Sequence, residues 1–290
     1  MAPTALGFLP VAQPLDLEKS IESGQVFLWR RHDGWFCGPL GGKIAHLRQV
    51  EGGLEFEMAS NSQEEVIAAI HAFLRLNDPI EEILRQLQAD PHLREPLQRN
   101  HGLRILRQDP WECLLSFVCS IDANIPRIRS MINALAGHCG QELSLGECRL
   151  PAIPNPETLA EVGEAKLREL GLGFRAKYVD PLAKTIAAGE IDLESLRSRP
   201  TDEARKTLML LKGVGEKVAD CALVFSLDKL DAFPLDRWVR RAVQEWYFDG
   251  EAIPDRAIQA WAKEHFGGYA GYAQQYLFYR RRLDAGRSTF

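Results

Sequence analysis

The 290-residue chain has too little of several things for whole classes of function to apply. Its six cysteines (Cys37, Cys113, Cys119, Cys139, Cys148 and Cys221) form no C-x-x-C pair, which excludes a zinc ribbon and a secreted disulfide framework. They read as free thiols in a reducing compartment. No stretch approaches the roughly 18 apolar residues that a membrane-spanning helix needs, and the start MAPTALGFLP lacks the basic region and long apolar run of a secretion signal. Internal repeats, low-complexity tracts and long linkers are missing too, so the parts of the chain are expected to pack closely. Nor is there an excess of positive charge. The 35 Lys and Arg against 40 Asp and Glu give a net charge of −5, which by itself argues against a nucleic-acid partner. What remains, 46% hydrophobic and 26% charged, is an ordinary globular composition that excludes disorder, collagen and coiled coil and is expected to have no membrane role.

The pattern changes near residue 60. From Gly24 to Met58 short β-type runs (VFLWRR, WFCG, KIAHLRQV, LEFEM) are separated by His32-Asp33-Gly34, Gly41-Gly42 and Gly52-Gly53, which predicts an antiparallel meander. After Ser60 the period is helical: Ser62 with Glu65 fits a capping box, and Pro79 fits the first position of a helix over IEEILRQL. Two helices are expected on one face of the sheet. From Trp111 onward the chain reads as amphipathic helices joined by short Pro/Gly breaks. The expected fold class is α+β, with a sheet-and-helix domain over residues 1–108 and a helical domain over 109–290.

The chemistry concentrates between Thr207 and Val243. An apolar helix ends at Leu211, the turn Lys212-Gly213-Val214-Gly215 calls for the positive-φ freedom of glycine, and a second helix starts at once: a helix-hairpin-helix at about 204–228. Backbone N–H groups of Gly213, Val214 and Gly215 then stand at a helix N-terminus, where partial positive charge suits a phosphate oxygen. The turn is either a plain helix reversal or such a phosphate site, which would hold a nucleic-acid backbone without reading bases. Lys217 lies in the first turn of the second helix, where the dipole disfavours a positive charge: it is either a solvated lysine or an amine set to attack carbon, since a structural lysine would sit better at the other end. Asp236, at the end of Phe233-Pro234-Leu235, either caps the helix that follows or caps it and also faces Lys217 across a cleft.

In order along the chain, SGQVFLWR (23–30), LRQDPWECLLSFVCS (106–120), NIPRI (124–128), LGLGFRAKYV (170–179), GVGEKVADC (213–221) and AGYAQQYLF (270–278) resemble the helix-hairpin-helix-Gly/Pro-Asp DNA glycosylases, in particular their 8-oxoguanine branch. The resemblance covers nearly the whole chain. It implies a TBP-like N-terminal sheet with helices, a helical glycosylase domain, and a monomer acting on double-stranded DNA that contains oxidised guanine. It also implies the nucleoid of a bacterium or the nucleus of a eukaryote as the place of action. Lys217 is implied as the nucleophile at C1′ of the sugar, giving a Schiff base and a β-elimination (AP lyase) step, with Asp236 stabilising developing positive charge.

Phe174 is implied as the wedge beside the opposite base, with Arg127 and Arg175 as the guanidiniums that read a widowed cytosine. Gly24, Cys221, Gln274 and Phe278 are implied as the lesion pocket. There Cys221 and Phe278 sandwich the purine, Gln274 bonds its Watson–Crick edge, and the Gly24 carbonyl accepts from the N7–H that guanine lacks. The resemblance requires no metal or other cofactor, and it admits a monovalent cation at the hairpin carbonyls.

Two positions depart from the family. Asp122-Ala123-Asn124 stands where consecutive asparagines are usual, and Asp122 occupies the place that fills the gap left by a flipped base. Trp238 replaces a phosphate-contacting His, which shifts the backbone grip toward Arg237, Arg240 or Arg241. Two other readings compete: a glycosylase for another damaged base, and a non-catalytic helix-hairpin-helix DNA-binding protein. Lys217 counts against the monofunctional alkylpurine type, and the lack of a C-x6-C-x2-C-x5-C array against the iron–sulfur branch. The net charge also divides unevenly. Residues 51–98 hold ten acids and three bases, a local −7 that leaves +2 elsewhere, while Arg237 to Arg287 hold nine bases and six acids. The acidity is thus expected on helices turned away from DNA.

Overall fold

A computed structural model describes residues 4–284, with side chains through Arg282, so Arg287 of the basic C-terminal count lies outside the described residues. The fold class is α+β. Five antiparallel strands, β1 (Thr4–Pro10), β2 (Arg30–His32), β3 (Trp35–Leu40), β4 (Lys43–Val50) and β5 (Gly53–Ala59), run in the order β1-β5-β4-β3-β2. Helices α1 (Leu17–Glu22) and α2 (Gln63–Phe73) cover one face, burying Leu17, Ile21, Val66, Ile70 and Phe73 against Leu47, Leu54 and Phe56. The capping box forms as expected: Ser62 accepts from the Glu65 N–H at 3.2 Å.

Several expectations are corrected. The run VFLWR is not strand from Val26 to Trp29; those four side chains are buried in an irregular turn, and pairing starts only at Arg30. Strand β1 was not anticipated, because Leu6 and Phe8 point outward and blur the alternation. Pro79 caps α3 (Ile80–Leu87) from one position before its first residue. That helix does not lie on the sheet, for Ile80, Ile83 and Leu87 join the core of the helical region. The helical half also contains a hairpin, β6 (Glu142–Leu145) with β7 (Cys148–Pro151), whose Leu143, Leu145 and Leu150 close the other face of the sheet over Cys37 and Ile44.

The remaining helices are α4 (Arg94–Arg99), α5 (Pro110–Cys119), α6 (Ile125–Cys139), α7 (Pro156–Leu167), α8 (Ala176–Ala187), α9 (Thr201–Leu208), α10 (Glu216–Ser226), α11 (Arg237–Tyr247), α12 (Asp255–Phe266) and α13 (Ala270–Asp284). Gly163, at φ +76°, breaks α7 into two short pieces, as the separate runs PETLAEV and AKLRELG suggest. Helices α5 and α10 form the centre. Each is apolar on nearly every side, and Phe117 stacks on Phe225 at 5.4 Å between ring centres. A helix buried all round has no solvent face to orient it, so its ends must be fixed by polar contacts. At its start α5 is held by Asp109, which accepts from the N–H groups of Trp111 and Glu112, with Pro110 in the first turn.

Just past the C-terminal end of α10, Asp228 receives three guanidiniums: Arg75 at 2.7 Å, Arg107 at 2.7 Å and Arg197 at 2.6 Å. Burial alone would raise the Asp228 carboxyl, yet Arg75, Arg107 and Arg197 together hold it below the ordinary carboxylate range. Arg75 has 1% of its side chain exposed and also donates to the Val224 carbonyl, whereas Arg197 is 31% exposed. Breaking a buried ion pair is far more costly than losing an exposed one. Arg75→Met is therefore expected to lower unfolding free energy by about 3 kcal/mol, and Arg197→Met by less than about 1 kcal/mol. Urea titrations of the two variants check this, and equal losses would contradict it.

Candidate active site

The helix-hairpin-helix is present, with α9 and α10 joined by a turn that closes on a hydrogen bond from the Val214 N–H to the Leu211 carbonyl. Of its two glycines, only Gly213 needs left-handed freedom: its φ is +87°, and a Cβ there would sit 2.5 Å from the Tyr178 ring. Gly215 has an ordinary φ of −87° and open space around it, which corrects the expectation that both glycines serve the turn's backbone. Its value lies elsewhere. As the N-cap of α10 it brings no side chain to cover the first N–H groups of the helix, so these donors remain for an anion.

The hairpin forms one wall of an open cavity of about 1450 Å³. That is larger than the roughly 300–1,000 Å³ of a small-molecule pocket and suits part of a polymer. Of the residues singled out from sequence, Gly24, Asp122, Gly213, Val214, Gly215, Lys217, Asp236, Arg237, Trp238 and Phe278 line it. Cys221 and Gln274, expected in the lesion pocket, are buried and do not line the cavity. Arg127, Phe174 and Arg175 stand beside it rather than in it, on α6 and the loop entering α8. The charged lining comprises five cations (Lys212, Lys217, Arg237, Arg240, Arg282) and two carboxylates (Asp122, Asp236). None of the ten acids of residues 51–98 reaches it.

Lys217 projects from the first turn of α10. Its ammonium nitrogen donates to Ser120 Oγ at 2.9 Å and lies 5.0 Å from the centre of the Phe117 ring. Ser120 in turn donates to the Phe117 carbonyl at 2.6 Å, so its hydroxyl meets Lys217 with a lone pair. Phe117 lies on α5 and Ser120 is its C-cap, 97 residues from Lys217, and sequence reading missed both as its partners. Asp236 caps α11: Oδ1 accepts from the N–H groups of Trp238 and Val239, each at 2.8 Å. The second oxygen is left for another task. Burial raises the Asp236 carboxyl, against the opposing pull of the Val239 N–H, the Lys217 charge and the Trp238 N–H. The two groups are thus close enough to feel each other, and both roles weighed for Asp236 are compatible.

Behind the lining, burial pushes the Cys221 thiol up to about 12, although Lys217 opposes the shift. It stays a neutral, polarizable surface. Gln274, 4% exposed, has its Oε1 buried with no partner. Gly24 has φ +90°, and a Cβ there would stand 2.5 Å from Ile125, so no other residue leaves its carbonyl in this place without strain. Arg282, a second residue missed by sequence reading, donates to the Ser23 carbonyl at 3.0 Å and fixes the turn that carries Gly24.

Phe174 is 39% exposed, which removes core packing as its explanation. Its ring carries the Arg175 guanidinium at 4.5 Å, and Arg175 donates to the Ile121 carbonyl at 2.7 Å, next to Asp122. Arg127 donates to the Gly171 carbonyl of the same loop. These contacts gather Asp122, Arg127, Phe174 and Arg175 into one cluster at the rim of the cavity. Among the candidate phosphate contacts, Arg240 is committed to Asp255 through two bonds, which leaves the exposed Arg237 and Arg241.

Residues 8–114 match the family model described as 8-oxoguanine DNA glycosylase, N-terminal domain, and residues 115–266 match that of the HhH-GPD superfamily base excision DNA repair proteins. The chain is 31% identical over 283 residues to an N-glycosylase/DNA lyase of Arabidopsis thaliana, covering 91% of this chain and 76% of that protein. It is 36% identical over 222 residues to an N-glycosylase/DNA lyase of Saccharomyces cerevisiae, covering 65% of this chain and 59% of that one. Its fold superposes on the 8-oxoguanine glycosylase/lyase of Clostridium acetobutylicum, solved with double-stranded DNA containing cytosine opposite 8-oxoguanine. That match has 31% identity and a TM-score of 0.88, over 98% of this chain and 100% of the other.

An orphaned buried oxygen costs free energy that an apolar replacement of similar shape recovers. Gln274→Met is expected to raise stability by about 1 kcal/mol, read as a higher thermal unfolding midpoint. A lower midpoint would show that the Gln274 amide is satisfied in the free protein.

Proposed function

The chain belongs to the HhH-GPD superfamily of base excision DNA repair proteins, and from that premise we propose that it excises 8-oxoguanine from double-stranded DNA and cleaves the resulting abasic site, as a DNA N-glycosylase and AP lyase. The observation that carries this reading is the pairing of a lysine amine with a half-buried carboxylate, set at the N-termini of two helices that open on one cation-lined cavity.

The uncapped N–H groups of α10 hold a backbone phosphate, and Arg237 and Arg241 add charge nearby. A base is then extruded at a cost of a few kcal/mol, which the exposed Phe174 ring offsets by stacking in the helix. In the pocket the orphaned Gln274 oxygen receives a base N–H, and the Gly24 carbonyl selects the N7–H of the oxidised purine. Guanine offers only a lone pair there and leaves that carbonyl unpaired.

Lys217 leaves Ser120, gives up its ammonium proton and adds as the free amine to C1′, and the bond from C1′ to the base nitrogen breaks with its electron pair going to the base, which takes up that proton. The second oxygen of Asp236 faces the positive charge that builds on the sugar meanwhile. Opening of the sugar gives the imine, and loss of a C2′ proton expels the 3′ phosphate. Arg127 and Arg175 present paired donors to a cytosine opposite, with Asp122 accepting from its amino group.

The chemistry is carried by the chain's own side chains. The hairpin turn offers only backbone carbonyl oxygens, a hard donor set that suits a monovalent cation rather than a transition metal, and such an ion would add positive charge beside the phosphate grip. Excision in potassium against lithium salts tests that element alone. The enzyme acts as a monomer wherever the genome lies, the nucleoid or the nucleus. No helix among the described residues is long and apolar enough to cross a membrane.

Borohydride is expected to trap a covalent complex with duplex DNA carrying 8-oxoguanine opposite cytosine, and Lys217→Gln to abolish it. A trapped product from Lys217→Gln would assign the nucleophile elsewhere, and none from the wild type would favour a binding module. Trapping on another damaged base in preference to 8-oxoguanine would favour the other substrate class.

In single-turnover excision against each of the four opposite bases, cytosine is expected to be fastest, and Asp122→Asn to tighten duplex binding opposite every base by removing a negative charge near phosphate. Equal rates opposite all four bases would overturn the roles of Arg127 and Arg175.

A further inference from the structure

A second cavity, of about 420 Å³, lies on the other side of α5, where the sheet region meets the helical core. None of the catalytic groups opens into it. Its volume is within the roughly 300–1,000 Å³ of small-molecule sites. The walls include the rings of Phe27, Trp29, Phe73 and Trp111, and Trp29 is already stacked on Phe73 at 5.0 Å. Two polar side chains of the lining are unusual. Gln108 has its Nε2 buried and without a hydrogen-bond partner. Glu112, one turn along, has a half-buried carboxyl that burial, and then the nearby Asp109, push up to about 7, so near neutrality it is protonated in a large share of molecules. A protonated carboxyl both donates and accepts.

The charge balance narrows the ligand. Arg107 is the one cationic residue of this lining, and it is taken: its Nε donates to Asp228 at 2.7 Å. A phosphate or carboxylate on the ligand would meet Asp109 and Glu112 with no free cation in the lining to offset them. We propose that this cavity is a second binding site, for a neutral, planar, fused heteroaromatic molecule of nucleobase size, stacked among the Trp and Phe rings. The molecule offers an acceptor to Gln108 and an adjacent donor and acceptor to Glu112. The unpaired Gln108 nitrogen is the main support: a buried amide donor without a partner is a standing cost that such a ligand removes.

The test uses free 2-aminopurine, whose fluorescence is quenched on stacking. Binding is measured with the full chain, alone and with a duplex carrying a tetrahydrofuran abasic analogue to occupy the larger cavity. Saturable quenching at one site per chain is expected to persist with the duplex bound. Gln108→Leu and Glu112→Leu are each expected to weaken it by about tenfold. Gln108→Leu loses no internal hydrogen bond of that amide nitrogen, so its thermal unfolding midpoint is expected to be no lower than that of the wild type, which separates lost binding from lost folding. Free adenine is expected to displace the probe and adenosine monophosphate is not. Quenching that disappears when the duplex binds would place the ring in the larger cavity. Quenching that ignores Gln108→Leu, or no quenching at all, would equally overturn the proposal.

Discussion

The position of Lys217 depends on how the far end of its helix is held. Helix α10 is apolar on almost every face and could slide or rotate among similar contacts. Polar anchors past its last turn prevent this: Asp228 under three guanidiniums, Arg75 on the Val224 carbonyl, and the Gln108 N–H on the Phe225 carbonyl at 2.8 Å. Arg75 and Arg107 come from the segments flanking the first helices, Arg197 from the loop before α9. These anchors thus serve as a bracket that fixes the axis of α10, and Lys217 inherits that rigidity eleven residues upstream of Asp228. A loop in the left-handed region, at φ +61°, is what lets Asp228 turn back to meet all three.

At the other end of α10 the structure is deliberately incomplete. The helix lacks a side-chain cap, Gln274 keeps an oxygen unpaired, Gly24 is held in a conformation that other residues resist, and burial disfavours the ionised form of Asp236. The missing cap and the unpaired oxygen cost stability in the free protein, and under the proposed function a nucleic acid and an extruded base supply their partners. Contacts that are complete in the ground state, such as Arg205 with the buried Asp220 at 2.6 Å and Gln259 with the same carboxylate at 3.1 Å, sit behind the hairpin and hold its two helices at a fixed angle.

How much could be read from the sequence followed the range of the physics involved. Local signals were legible: the Ser62 and Asp236 caps, the Gly213 turn, and the placing of Lys217 in a first helical turn all depend on neighbours within a few residues. The resemblance extended this to Gly24 and Phe278, which line the cavity, whereas Gln274 does not. Elements whose reason is tertiary were not legible. Strand β1 exists because β5 offers it an edge, and it leaves Leu6 and Phe8 outside. Helix α3 has a strong apolar stripe that fits either core, and only the chain's path decides which. The β6–β7 hairpin has four-residue strands that would not stand without the sheet beneath. Ser120 and Phe117 could be counted in a motif, yet nothing local says that they receive the Lys217 amine.

The backbone at Asp122 has φ +49°, a region that β-branched and bulky residues enter with strain and that asparagine, aspartate and glycine tolerate. Few side chains are therefore available at position 122. Drift there is confined to a short list by geometry before selection on chemistry begins. Asparagine and aspartate codons differ by a single nucleotide, so the charge found here is one mutational step from the amide usual in the family. The chain can move between the two without rebuilding the loop, and the charge at that place can change while its fold does not.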